Sequence, residues 1–389
     1  MDGSRVRDIA VVTVGRSDWG IYLPVLKGIS NHPQLRLRIL VSGMHLAAEY
    51  GRTDRDIRAA GFEIWEAIES LVASDTPEAI AKSIGLGTIG FAQAFSRSRP
   101  DILMVLGDRF DMLPAGLAAV PFNIPIAHLH GGEVTEGAMD DVFRHALSKM
   151  SHLHFVSTEE HAARLRQMGE EAWRITVSGA PAIDGICRAP LMSPEELAAT
   201  FGVNPDEPML LVTYHPVTRE YSETEFQITA LLDALSRMQY QCVFTYPNAD
   251  TCGRIIIEKI EAFSQTYPRC RVVKNAGQRG YWSLMSAAAV VVGNSSSGIL
   301  EAPSFRVPVV NIGTRQRGRI QASNVINCGY ESDEIHKALL KALSRDFRES
   351  LRDVRNPYGD GSAASRIVER LAEVDLGPVL VTKHFVDKV

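Results

Sequence analysis

Side chains able to move protons cluster where apolar runs of the sequence stop. Gly107-Asp108-Arg109-Phe110-Asp111 follows the run at 101–106. His128, His130, Gly131, Gly132 and Glu133 come at the end of the run at 125–129, and Asp140-Asp141 and Arg144-His145 follow. Carboxylates and imidazoles are the usual general acids and bases. Alternation along a strand puts His128 and His130 on one face. Two imidazoles there could ligate a metal, or serve as an acid/base and a binding group. A single histidine in such a place is more simply a hydrogen-bonded core residue, and that role is expected for one of the two. Asp108 is read as functional and Asp111 as exposed; the competing role for Asp108 is to cap the next helix. For Asp140–His145 the competing role is a helix start with favourable acids in its first turn. His152 and His154 also alternate, and a structural role is expected there.

A second set of residues suits a phosphate. Val290-Val291-Val292 ends in Gly293, and Asn294-Ser295-Ser296-Ser297-Gly298 forms a small polar turn before Ile299-Leu300-Glu301. Serine hydroxyls and amides at a helix start donate hydrogen bonds, the helix dipole favours an anion, and a glycine such as Gly298 permits close approach. Glu301, about one turn into that helix, could accept hydrogen bonds from ribose hydroxyls. Arg315, beyond the next apolar run, could pair with a phosphate. Arg16, His215 and Asn248 likewise follow apolar runs, the usual ligand positions of doubly wound sheets. A serine-capped helix in an ordinary α/β domain and a solvated Arg16 are the competing readings.

The elements that must hold these residues alternate between strand and helix. Strands are expected at 9–14, 37–41, 63–68, 101–106, 125–129, 154–157 and 175–178. A second series is expected at 209–214, 242–246, 271–273, 290–293, 307–312 and 324–327. Helical patterns fall at 77–95, 283–288, 334–343 and 365–371; Thr158 caps another through Met168, and Ser193-Pro194-Glu195-Glu196 is a capping box with proline at the first helical position. This order predicts two parallel, doubly wound α/β domains. The stretch 179–194, with its three prolines, reads as the linker. The expected division is 1–185, 186–364 and a tail from 365 to 389 that crosses back to the first half. Two such domains would face a cleft, with Arg16 and Asp108 on one wall and His215, Ser295, Ser296 and Glu301 on the other.

Composition narrows the function classes. A net charge of −5 gives no nucleic-acid footprint. No apolar stretch approaches the length of a membrane span, and the first residues run into a strand pattern without a secretory leader. Five scattered cysteines without a CxxC suggest reduced thiols in a cytoplasm, not disulfides or a zinc site.

Taken together, GDRFD at 107–111, HLHGGE at 128–133, DDVFRH at 140–145, LVTYHPVT at 211–218, GNSSSG at 293–298 and GTRQRGR at 313–319 resemble the hydrolysing UDP-N-acetylglucosamine 2-epimerases, in the same order. Those enzymes begin sialic acid and related nonulosonic acid pathways. The resemblance spans about residues 8–375, nearly the whole chain. It implies two Rossmann-like domains resembling the GT-B glycosyltransferases, with the nucleotide held mainly by the second. It implies no NAD and no metal for the chemistry, and a UDP-sugar as the partner of a cytoplasmic homodimer or homotetramer. By this resemblance Arg16, His215, Ser295, Ser296, Glu301 and Arg315 hold the nucleotide, and Asp108 and Asp140 match catalytic carboxylates; the residues themselves add Asn248 and Gly298 to the nucleotide contacts and His130 to the expected acid/base set. Many members carry glutamate where this chain has His130. The HxHGGE form is similar to the branch acting on UDP-N,N′-diacetylbacillosamine in legionaminic acid synthesis, so the sugar is either that one or UDP-N-acetylglucosamine. A GT-B glycosyltransferase, a metal hydrolase built on His128 and His130, and a non-catalytic sugar-binding protein are the other readings.

Overall fold

The computed structural model describes residues 5–48, 52–74, 76–135, 139–188, 190–246 and 253–387. The chain divides into two compact units, 1–185 with 361–389 and 186–360. Both are parallel α/β folds.

In the first unit seven strands form one sheet: β1 (Arg7–Thr13), β2 (Leu35–Ser42), β3 (Ile64–Ile68), β4 (Ile102–Leu106), β5 (Ile126–Leu129), β6 (Leu153–Val156) and β7 (Ile175–Val177). Their order is β3-β2-β1-β4-β5-β6-β7, and the pairing is parallel throughout. The order reverses between β1 and β4, which leaves their C-terminal ends open to a ligand. The strands read as continuous apolar runs because helices cover both faces; β4 and β5 are buried at every position.

The second unit carries six strands: β8 (Met209–Thr213), β9 (Gln241–Thr245), β10 (Cys270–Val273), β11 (Val290–Gly293), β12 (Val309–Ile312) and β13 (Val325–Cys328). Their order is β10-β9-β8-β11-β12-β13, again parallel. Period-two alternation divides the core in two. Leu210, Val212, Val290, Val292, Val310 and Ile312 point to one face. Met209, Leu211, Val291 and Val309 point to the other.

The thirteen described strands sit within a few residues of the expected positions. Three features differ. The expected linker contains the helix Pro181–Arg188, whose buried Asp184 accepts hydrogen bonds from the amides of Ala363 (2.9 Å) and Ala364 (2.7 Å). Those amides open the helix Ala363–Glu373, so Asp184 supplies the cap that this helix lacks in its own sequence. That helix packs on Arg16–Asn31 within the first unit. The helix Gly277–Ala287 begins six residues before the apolar pattern at 283. The helix Gly253–Thr266 buries only Gly253, Ile256 and Ile260 and gives a weak signal in sequence.

Arg174 and Lys383 both fasten the C-terminal segment; Lys383 reaches Glu170 and the Lys149 carbonyl, each at 2.8 Å. Arg174 is fully buried and donates to the carbonyls of Val379 (3.0 Å), Leu380 (2.8 Å) and Thr382 (2.7 Å). A buried guanidinium is tolerated because these carbonyls and Glu171, at 2.6 Å, satisfy its donors.

Candidate active site

In the second unit the turn after β11 is built around Asn294. Gly293 has φ of 130°, and a Cβ there would lie 2.0 Å from the Thr213 carbonyl, so β8 and β11 can approach only with glycine at this position. The chain then delivers Asn294, which is fully buried. Its Oδ1 accepts from the His215 amide (2.7 Å) and its Nδ2 donates to the His215 carbonyl (2.8 Å). Its own carbonyl accepts from Arg315 Nη1 (3.1 Å) and Gln316 Nε2 (2.8 Å). His215, the serine turn and Arg315 are thereby brought together by a residue that sequence reasoning did not single out. A buried asparagine gives no local signal of such a role; its partners lie in two other loops.

Ser295 caps the short helix Ser296–Leu300, accepting from the Ser297 amide at 3.4 Å, and its hydroxyl lies 2.9 Å from that of Ser297. Tyr281 holds Ser297 in turn, hydroxyl to hydroxyl at 2.6 Å. Gly298 packs against β12: a Cβ there would lie 3.1 Å from Val309. Glu301 sits at the junction with the next short helix, Ala302–Phe305. Burial pushes its carboxyl up to about 7, against a hydrogen bond from Trp282 that lowers it. The loop after β12 also lines a cavity of about 630 Å³ with Thr314, Arg317, Arg319, Asn327 and Tyr330, giving this side of the unit a cationic, polar wall. Asn248 lies outside the described residues.

In the first unit the acid/base candidates occupy the C-terminal ends of neighbouring strands. β4 and β5 pair with Leu106 beside Leu129, so Asp108 and His130 follow at nearly the same level. Asp108 does not cap a helix; the helix Leu113–Ala119 starts later and has no side-chain cap at Met112. Its carboxylate instead accepts from Arg144, a buried side chain of the helix Met139–Met150 that also reaches Thr135 (3.0 Å) and Asp141 (3.2 Å). Asp140 is on the first turn of that helix, close enough to Arg109 and Asp111 to act on both electrostatically.

Asp111 corrects the expectation of an exposed residue. It is 2% exposed and accepts two hydrogen bonds from Arg109, each 3.0 Å. Desolvation raises its carboxyl although Arg109 opposes the shift. Asp18 is buried nearby, takes the Val14 amide at 2.9 Å, and is pushed up to about 6 by burial. Arg16 is the first residue of the helix Arg16–Asn31, exposed and 3.4 Å from Asp56.

The two histidines separate. His128, wholly buried, donates from Nε2 to the Gly107 carbonyl (2.8 Å), and its Nδ1 accepts from Ser148 (3.2 Å). Desolvation lowers it to about 3, so it is a neutral core residue. With both nitrogens used, it has no lone pair for a metal. His130 lies one residue past β5 with φ of 62°, a left-handed conformation that costs a non-glycine residue roughly 1 kcal/mol or more. The expected alternation therefore ends before His130. Its amide donates to the Phe155 carbonyl (3.0 Å), and its Nδ1 lies 2.6 Å from Glu133. Its Nε2 is buried without a hydrogen-bond partner among the described residues. His154 pairs with buried Glu170 at 3.1 Å, the structural role expected of it. Among the described residues no group of three histidine, cysteine, aspartate or glutamate side chains could hold a metal ion, and no helix is long and apolar enough to cross a membrane.

Residues 27–372 match the model of the UDP-N-acetylglucosamine 2-epimerase family. The chain is 36% identical to a Legionella pneumophila protein named UDP-N,N′-diacetylbacillosamine 2-epimerase (hydrolyzing), over 97% of this chain and 99% of that one. It is 36% identical to the Campylobacter jejuni GDP/UDP-N,N′-diacetylbacillosamine 2-epimerase (hydrolyzing), over 98% and 99%. In fold it is similar to UDP-GlcNAc 2-epimerase from Neisseria meningitidis, solved bound to UDP-GlcNAc, with a TM-score of 0.77 at 18% identity over 94% of this chain and 100% of that one. The glycosyltransferase CalG4 shares the architecture at a TM-score of 0.57 and 14% identity, over 94% and 98%. A chain that the family model matches over residues 27–372, and that is 36% identical over nearly its full length to two enzymes named as hydrolysing 2-epimerases, belongs to the UDP-N-acetylglucosamine 2-epimerase family.

Proposed function

We propose that this enzyme converts a UDP-2-acetamido sugar into UDP and the free 2-epimeric sugar, by elimination to a 2-acetamidoglycal followed by hydration. The preferred substrate is UDP-N,N′-diacetylbacillosamine, with UDP-N-acetylglucosamine second, and the product feeds nonulosonic acid synthesis in the cytoplasm. His130 at the position where many members have glutamate, and the names of the relatives at 36% identity, support that order.

The observation that carries the reading is the placement of Asp108 and His130 just beyond the ends of the adjacent strands β4 and β5, one held by Arg144 and the other leaving a buried nitrogen unpaired among the described residues. A sugar C2 proton is far too weakly acidic to leave at neutral pH. It becomes removable as the C1–O bond to UDP breaks and positive charge grows at C1. One group must take that proton, and an acid/base pair must then add water across the glycal. Asp108, His130 and Asp140 are the proposed set. Arg16, His215, Ser295, Ser296, Gly298, Glu301 and Arg315, together with Asn248, are the proposed nucleotide contacts, stabilising the diphosphate as it leaves. No nicotinamide or metal takes part in this scheme. The assembly proposed is a homodimer or homotetramer.

A panel of nucleotide sugars, incubated without acceptor and followed for free nucleotide diphosphate and reducing sugar, tests the reading. Release of both from a UDP-2-acetamido sugar supports it. Turnover only after an acceptor alcohol is added would identify a glycosyltransferase instead.

A further inference from the structure

The loop that carries His130 places a second acidic residue where it governs the imidazole. Glu133 Oε1 lies 2.6 Å from His130 Nδ1. Ser157, just past β6, donates to the same carboxylate oxygen at 3.0 Å and lies 3.1 Å from Nδ1. His161, on the helix Glu159–Gln167, stands 4.0 Å from that oxygen. The backbone is fixed as firmly. Arg164 donates to the Gly132 carbonyl, and a Cβ on Gly132, whose φ is 74°, would lie 2.5 Å from the His161 carbonyl. A carboxylate can only accept, so Nδ1 carries the proton in this pair, and in the neutral imidazole Nε2 keeps its lone pair. That lone pair is the buried one without a partner among the described residues.

We propose that Glu133 is a positioning residue for the reaction: it takes the Nδ1–H of His130 and so presents Nε2 as the base that removes the sugar C2 proton. This deepens the proposed function and rests on it. As Nε2 gains the proton, the C2–H electron pair becomes the C1=C2 bond. The C1–O bond breaks with its electrons leaving on the diphosphate oxygen. Glu133 stays ionised beside the imidazolium, and Ser157 fixes its rotamer. The charged and titratable groups facing His130 are Glu133 on its own loop, His128 on β5 and His161 on the neighbouring helix. Burial alone would lower the imidazole; the adjacent carboxylate more than reverses this and raises it. The acid limb of kcat, measured at saturating sugar nucleotide, therefore reports His130 and sits higher than an isolated imidazole would put it.

Glu133→Gln, nearly isosteric, tests the assignment on the UDP-2-acetamido sugar that the wild type turns over. We expect kcat to fall roughly 10²-fold or more, the acid limb to move to lower pH, and UDP affinity to stay unchanged. Glu133→Asp, which keeps the charge, should recover part of the rate. A structural role would change stability without moving the acid limb. Imidazole ¹⁵N signals of the substrate-free enzyme give a readout that needs no turnover: His130 should be the Nδ1–H tautomer, and its titration should shift down in Glu133→Gln. Wild-type kcat and an unmoved acid limb in Glu133→Gln, or an Nε2–H tautomer of His130, would overturn the proposal. If the wild type releases no UDP from any sugar of the panel, the proposed function fails, and the tautomer still decides the role of Glu133.

Discussion

His215 and Asn294, 79 residues apart, exchange two hydrogen bonds: the His215 amide donates to Asn294 Oδ1 and Asn294 Nδ2 donates to the His215 carbonyl. The pair locks the loop after β8 to the turn after β11. Both residues are buried, so an unpaired backbone group left behind would cost about 1–3 kcal/mol. Asn294→Ala should lower the melting temperature and weaken UDP binding about tenfold, a change worth about 1.4 kcal/mol. Asn294→Asp keeps the acceptor and loses the donor, and should fall between. Calorimetry with UDP checks both; a folded Asn294→Ala protein with wild-type UDP affinity would remove Asn294 from the site.

Gly293 and Gly20 make a matched pair. Gly293→Ala places a Cβ against the Thr213 backbone in a left-handed conformation and should destabilise by at least about 2 kcal/mol. Gly20 lies exposed in the helix Arg16–Asn31, and a methyl group added there would meet nothing within 4 Å. Gly20→Ala should therefore stabilise by about 0.5–1 kcal/mol. Denaturant midpoints of the two variants should move in opposite directions.

Asp108→Asn should lower kcat roughly 10²–10⁴-fold and leave UDP affinity nearly intact. It also weakens the ion pair with buried Arg144, so some stability is lost with the activity. Arg144→Lys, which keeps a charge but not the planar fork, should lower kcat less. In heavy water the wild type should yield product with deuterium at C2. Product retaining the substrate's own hydrogen would sink the elimination route.

Glu301 predicts a pH dependence of definite sign. Its carboxyl titrates at about 7 in the folded protein against 4.5 unperturbed. Between those values the folded state holds a proton that the unfolded chain has released, so this residue's contribution falls as pH rises through that window. Glu301→Gln should match the wild type in melting temperature well below 4.5 and exceed it well above 7. The ribose role predicts the reverse for UDP: affinity of the wild type, relative to Glu301→Gln, should rise as pH passes about 7. A constant affinity ratio across that range would count against Glu301 as a ribose acceptor.

Incubation with a strong chelator should leave the rate unchanged. A loss of activity restored by zinc would refute the metal-free scheme.

The sequence alone determined what rests on local chemistry. Apolar runs such as Ile102–Leu106 and Met209–Thr213 are strands because a residue in a covered parallel sheet is buried on either face. Ser193 and Glu196 form their capping box, and Thr158 caps its helix, because those bonds join residues three apart. The serine turn and the carboxylates at strand ends are legible for the same reason. What only the tertiary structure decided are the partners. Asp108 meets Arg144, 36 residues on; Asp184 caps a helix 180 residues away; Asn294 gathers three loops. Asp111 is buried against the expectation: Arg109, two residues before it, binds its carboxylate, and Gly43, distant in sequence, packs against that carboxylate, which the local sequence does not reveal. His128 and His130 look alike in a motif and differ in kind, because the strand ends between them: one imidazole turns into the core, and the other is held by Glu133 with a nitrogen to spare.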